Sequence, residues 1–193
     1  MHTLTSSKRF EYHKVQNFVE TKSQPAKELY SFKSSNSNQT YWVWVEKYPY
    51  CFYAIKFHLK NHKHCNRKYN RLTRLYEAKP VIMTCIDIMI EIHKREQGSS
   101  FGFLGANTIV TRTTRKKRKN DEVVIYTEPK ENTKRYKAYK RFMITFFSDE
   151  LFEHKYNEEK STYLLVRKSE IAKNPNLIEN IVDHFSKNYT LFA

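Results

Sequence analysis

The spacing of apolar positions predicts paired strands, then helices alternating with strands. Tyr41-Trp-Val-Trp-Val45 is aromatic and β-branched, the composition that suits a half-buried pleated surface, and predicts a strand. Tyr48-Pro49 closes it, and Tyr50 to Leu59 repeats the pattern, so the pair predicts a hairpin. From Pro80 to about Glu96 the apolar residues Val81, Ile82, Cys85, Ile86, Met89 and Ile92 recur at helical spacing, with Ile88 and Ile90 widening the stripe. Proline is tolerated in a first helical turn, and Gly98 ends the run. Ser100 to Leu104 predicts a short strand, and Val123 to Tyr126 another. Asn132 or Thr133 is placed to cap a second helix, on which Tyr136, Tyr139, Phe142, Met143, Phe146 and Phe147 share one stripe. Thr162 to Val166 reads as a strand, and Pro175 to Lys187 as a last helix with Leu177, Ile178, Ile181, Val182 and Phe185 on one face.

Strands interleaved with helices predict an α/β or α+β fold, one domain with a central, mostly antiparallel sheet flanked by helices. Residues 1–40 are weakly defined by pattern, although Phe10, Tyr12, Val15, Phe18 and Val19 suit a strand or short helix. The domain proper is read as residues 41–193, with a basic insertion at 107–131.

Composition narrows the function classes. The chain has 193 residues, 39% of them hydrophobic, enough for a core, and 35 Lys and Arg against 20 Asp and Glu give a net charge of +15. It has only three glycines, Gly98, Gly102 and Gly105. A Walker loop, a dinucleotide fingerprint and a kinase glycine loop all need glycine where backbone amides approach phosphate, so all three are excluded. Three cysteines without a CxxC argue against a disulfide framework, and no run is apolar enough to cross a bilayer. The expectation is a cytoplasmic protein with no membrane partner.

Charge supplies the densest motif. Arg112-Thr-Thr-Arg-Lys-Lys-Arg-Lys119 carries Arg112, Arg115, Lys116, Lys117, Arg118 and Lys119 without an apolar residue, the composition that neutralises phosphates. A second basic tract spans His58 to Arg71, and Lys134, Arg135, Lys137 and Arg141 form a third on the second helix. Tyr69, Tyr76 and Tyr136 interleave with these cations and are suited to stacking on unpaired bases. His58, His62, His64 and Cys65 are the one grouping with metal-ligand chemistry, but they lack a second pair at finger spacing, and no metal is expected. Cys51 and Cys85 fall in apolar segments and read as packed thiols.

A different reading comes from Asn132-Thr-Lys-Arg-Tyr-Lys-Ala-Tyr139 and the element order over residues 41–168. Together they resemble a GNAT-type N-acetyltransferase, whose N-x-x-A-x-x-x-Y helix follows the fifth strand. The resemblance implies acetyl-CoA as cofactor, Asn132 at the cofactor arm and Tyr139 as general acid. Arg135 stands where the family has Ala, and residues 60–79 contain none of the glycines of the family's pyrophosphate loop. Ser100 to Asn107, Asn132 to Phe142 and Tyr163 to Lys168 also resemble segments of small proteins of Bacteroidetes and their mobile elements, a likeness that implies no activity.

The leading expectation is a non-enzymatic, basic nucleic-acid-binding or accessory protein, of the kind found in phages or mobile elements. It needs no cofactor, and its contacts are the basic residues just named. The alternatives are an acyl-CoA-dependent N-acetyltransferase and a structural protein of an assembly whose positive surface meets an acidic protein partner.

Overall fold

Tyr41, Val43 and Val45 are buried while Trp42 and Trp44 between them are half-exposed, because only one face of their strand packs on helices. The structure is a computed structural model describing residues 9–71, 75–114 and 122–188. The described residues form a mixed α+β fold around one seven-stranded sheet. Its first four strands are β1 (Tyr12–Phe18), β2 (Ala26–Lys33), β3 (Thr40–Tyr48) and β4 (Phe52–Leu59). These are consecutive antiparallel neighbours. Residues 12–33, which the sequence pattern defines weakly, thus supply an edge and its neighbour. A short 3-10 turn over Lys60–His62 follows β4.

Helix α1 (Ala78–Arg95) then carries the chain back, so that β5 (Ser100–Leu104) lies parallel to β4. Such a pairing requires a crossover connection, and α1 provides it. β6 (Ile109–Thr114) and β7 (Glu122–Thr127) pair only with each other, as a separate ribbon within the basic insertion. Helix α2 (Lys134–Phe146) follows, then the hairpin of β8 (Phe152–Asn157) and β9 (Thr162–Arg167), with β9 inserted beside β5. The sheet order is β1-β2-β3-β4-β5-β9-β8. Helices α3 (Lys168–Lys173) and α4 (Leu177–Asn188) end the described chain. Among the described residues, no helix is long and apolar enough to cross a membrane.

The core has two parts. On one face α1 and α2 bury Ile82, Ile86, Met89, Tyr139 and Met143 against Val43, Ile55, Phe101 and Leu165. On the other, Leu177 and Ile181 of α4 cover Phe52, Ala54, Leu164 and Val166. Phe10 ties the N-terminal stretch to the first face. Its ring stacks on Phe32 at 5.5 Å, and its backbone N–H donates to Thr84 Oγ1 at 3.0 Å.

One carboxylate links this packing to pH. Burial alone would raise the pKa of Glu96, but hydrogen bonds from Cys51, Tyr53 and Lys47 outweigh it and hold the group down at about 2. A folded-state value below the unfolded one contributes stability that is present above about pH 4.5 and lost as pH falls toward 2. Acid titration of unfolding free energy is expected to fall through that window in the parent and more shallowly in Glu96→Gln. An identical slope would remove Glu96 from the account.

Candidate functional site

β4 and β5 form the one parallel pair among the described strands of the sheet. Their ladder joins Phe52 to Ser100, Tyr53 to Phe101 and Ala54 to Gly102, and it stops there. β4 runs on to Leu59 paired only to β3, while Phe103 and Leu104 of β5 pair only to β9. Beyond Ala54 the β4–β5 ladder is absent, so this side of β4 lies there as the outer strand of a sheet does.

A narrow cavity of about 30 Å³ occupies this opening. Ala54, Ile55, Lys56 and Phe57 line it from β4, Gly102, Leu104 and Ala106 from the β5 side, and Tyr69, Arg135 and Tyr139 complete it. Ala54 belongs to the α4 face and Ile55 and Phe57 to the α1/α2 face, so the opening is lined from both sides of the sheet. It shares Phe57, Arg135 and Tyr139 with a larger cavity of about 300 Å³ between the first turns of α1 and α2. The larger space is walled by Tyr41, Val81, Ile82 and Ala138, with Tyr76, Glu77 and Lys134 among its polar lining.

Tyr139 stands where the two spaces meet. The α2 stripe buries it to 7% exposure, against Phe103 at 5.3 Å and Phe57 at 6.3 Å between ring centroids. Among the described residues its hydroxyl has no hydrogen-bond partner. Burial pushes the phenol up to about 12, against a weaker opposing effect from Arg135, so it keeps its proton at neutral pH. Both core packing and a cavity-lining hydroxyl are thus properties of the same residue.

The start of α2 is held by a small network. Thr133 caps the helix by accepting from Tyr136 N at 3.2 Å and donates its own hydroxyl to Gly105 O at 2.7 Å. Thr133 N donates to Ser161 Oγ, and Lys134 N donates to Glu128 Oε1. Hydrogen bonds from both backbone amides, Lys134 and Thr108, outweigh burial and hold the Glu128 carboxyl below its ordinary value. Lys134 is exposed, and Arg135 is half-buried with one guanidinium N–H donated to Arg71 O at 3.0 Å.

The start of α1 differs. Glu77 is buried there, accepting from Ser34 Oγ at 2.5 Å, Ser37 Oγ at 2.8 Å and the Tyr41 hydroxyl at 2.8 Å. Tyr76 beside it is fully exposed at a φ of 53°, a left-handed conformation rare for an aromatic residue.

Other sequence-read residues lie apart from this pair of cavities. Asn132 is exposed at a φ of 49°, its amide donating to Glu158 O, and it lines neither cavity. Lys137 and Arg141 are exposed on α2. Arg112 is on β6 opposite Val124, whereas Arg115, Lys116, Lys117, Arg118 and Lys119 lie outside the described residues. His58 is buried with its Nδ1 bonded to Leu59 O and its Nε2 accepting from Trp44 Nε1, which leaves no lone pair for a metal. Among the described residues no three metal-ligating side chains converge. Burial pushes the thiols of Cys51 and Cys85 up, away from reactivity.

No family model, curated protein or solved structure matches the chain. The case for a site rests on geometry. The motif spacing singles out Tyr139 and the basic tract singles out Tyr69, but no sequence pattern singles out Ala54 to Phe57, which meet the Gly102 side only through a parallel pairing that strand composition does not encode.

Proposed function

We propose that the chain is an acyl-CoA-dependent N-acyltransferase whose thioester end enters the opening between β4 and β5. The observation that carries this reading is the parallel ladder that ends at Ala54 and Gly102 and leaves a cavity lined by a buried tyrosine whose phenol has no partner among the described residues. Of the N-acetyltransferase resemblance of the Asn132 to Tyr139 segment, the reading keeps Tyr139 and drops Asn132, which lines neither cavity.

Coenzyme A would supply an activated acyl thioester for transfer to an amine. The chain's own groups suit its acyl end. Beyond Ala54 β4 has no ladder to β5, and an amide-bearing extended chain can lie along it there as an added strand does along a sheet edge. Tyr139 Oη holds a proton beside a narrow cavity, where it can be passed to a departing sulfur. The narrow part of the cavity, about 30 Å³, favours an acetyl group over a long acyl chain. Titration calorimetry with acetyl-CoA tests the reading. Saturable binding that weakens with acyl length supports it, and absence of binding at millimolar ligand overturns it.

The basic ribbon favours a second reading, nucleic-acid binding. β6 and β7 form an antiparallel sheet of their own, and the run Arg112 to Lys119 starts on β6 and leads toward β7 in sequence. A two-stranded ribbon fits a duplex major groove, and Lys and Arg in that number supply phosphate contacts. Neutralising Arg115, Lys116, Lys117, Arg118 and Lys119 together is expected to lower the log–log salt slope of binding to labelled RNA and DNA by about 0.7–0.9 for each phosphate no longer neutralised. An unchanged slope would remove the tract from any such interface.

A further inference from the structure

The two tryptophans of the chain, Trp42 and Trp44, alternate with Tyr41, Val43 and Val45 and so stand on the face of β3 turned away from α1 and α2. Directly across the ladders from them lie Ser31 and Leu29 of β2 and His58 and Lys56 of β4, which places all six on one face. Helix α4 covers this side of the sheet over Phe52, Ala54, Leu164 and Val166. Trp42 and Trp44 belong to neither part of the core and are half-exposed.

A strand face left to water ordinarily alternates to polar side chains. This one carries aromatic rings in contact with one another. Trp42 and Trp44 meet edge to face at 6.3 Å between centroids, and Phe18 of β1 lies 5.5 Å from Trp44. His58 meets Trp42 at 6.1 Å and Tyr69 at 5.4 Å, so the rings run across the sheet from β1 to the loop beyond β4. Trp44 Nε1 donates to His58 Nε2 at 3.2 Å, which fixes that indole with its N–H engaged and leaves its ring surface for contact. A contiguous exposed surface of this kind marks a place where something binds.

Charge decides what kind of partner. Lys60 Nζ stands 5.7 Å from the Trp42 ring centroid, and Lys68 Nζ 5.4 Å from that of Tyr69. Neither ammonium makes an ion pair among the described residues. The segment from His58 to Arg71 that carries them adds Lys63, Arg67 and Arg71 and contains no acidic residue. Glu46, the acid on this face of β3, is buried and already paired to Lys56 at 2.7 Å and to Lys27 at 3.6 Å. An apolar protein surface laid on the rings would strip water from the two ammonium groups and return no counter-charge. A nucleic acid returns a phosphate with every base. Bases inside a duplex keep their faces to one another, whereas unpaired bases stack on aromatic side chains beside cations.

We propose that this face of the sheet, centred on Trp42 and Trp44, binds single-stranded nucleic acid, with unpaired bases on the indole rings and phosphates on Lys60 and Lys68. The surface is separate from the basic ribbon of β6 and β7, and neither tryptophan lines either cavity, so it stands or falls independently of both readings above.

Because the chain has no other tryptophan, its indole fluorescence reports this face alone. The test titrates the full chain with an oligothymidylate of about ten nucleotides and with a base-free deoxyribose-phosphate oligomer of equal length. The oligothymidylate is expected to quench the emission saturably, and the base-free oligomer, with the same phosphates, to leave it nearly unchanged. By anisotropy of the labelled oligothymidylate, Trp42→Leu is expected to bind at least about fivefold more weakly, and Trp42→Phe to recover part of the loss. Thermal unfolding checks that both variants fold, and if Trp42→Leu does not, the parent titration decides alone. Quenching matched by the base-free oligomer, or equal affinity in the parent and a folded Trp42→Leu, would overturn the inference and return any binding to phosphate contacts elsewhere. An emission that neither oligomer changes would overturn it too and leave the face to a protein partner.

Discussion

Tyr139→Phe is expected to slow acyl transfer by about a hundredfold or more while leaving the affinity for acetyl-CoA nearly unchanged. A positioned proton donor acts on the departing sulfur in the transition state, so its loss lowers kcat far more than it alters binding. The same substitution is expected to leave the fold as stable as before, or more so. The ring packs against Phe103 and Phe57, and its hydroxyl makes no hydrogen bond among the described residues, so Phe keeps the packing and gives up no bond. A rate that falls while stability does not separates a chemical role from a core aromatic. The measurement is release of free thiol from acetyl-CoA, with water or a primary amine as acceptor, alongside thermal unfolding. Parent and variant rates that agree, with the parent active, would return Tyr139 to the core. Because the phenol ionises only at about 12, the parent rate is also expected to show no loss from this group as pH rises through about 9 to 10.

How legible the molecule is depends on how much of each element is buried. The α1 stripe from Val81 to Ile92 and the α2 stripe from Tyr136 to Phe147 announce themselves because each buries one face against the same sheet. β1 does not, since only its two ends are even half-buried and its middle positions face solvent as an edge. β8 is hidden for the same reason, with Phe152 its one buried residue before a polar run to Asn157. The short, mostly polar α3 carries no stripe at all. Charge reads in the opposite sense. Lys134 and Arg135 join Lys137 and Arg141 in one basic tract along the sequence, but in space the first two line a cavity and the last two face solvent.

Scarcity of glycine, which excludes phosphate loops, also marks the site. Gly105→Ala is expected to destabilise the protein by about 3 kcal/mol, the sum of overpacking and a weakened helix cap. Its backbone does not require glycine, since no glycine among the described residues has a positive φ. The constraint is space. A Cβ at residue 105 would lie 2.5 Å from Tyr136 Cβ, 2.6 Å from Thr133 Oγ1 and 2.7 Å from Tyr136 N. These are the atoms of the α2 cap, and the Gly105 carbonyl itself receives the Thr133 hydroxyl. Nothing flexible stands there to give way, so the first turn of α2 must move, and Lys134, Arg135 and Tyr139 move with it. Gly98 is the internal control. A Cβ there meets the end of the Glu170 side chain at 3.2 Å, which can swing aside, so Gly98→Ala is expected to cost little. For a chain of this size, the Gly105→Ala loss corresponds to a fall in Tm of roughly 6–12 °C. Thermal unfolding of the two variants side by side reads the difference. Equal melting temperatures would mean that the start of α2 is not clamped against Gly105, and that the position of Tyr139 in the opening has some other cause.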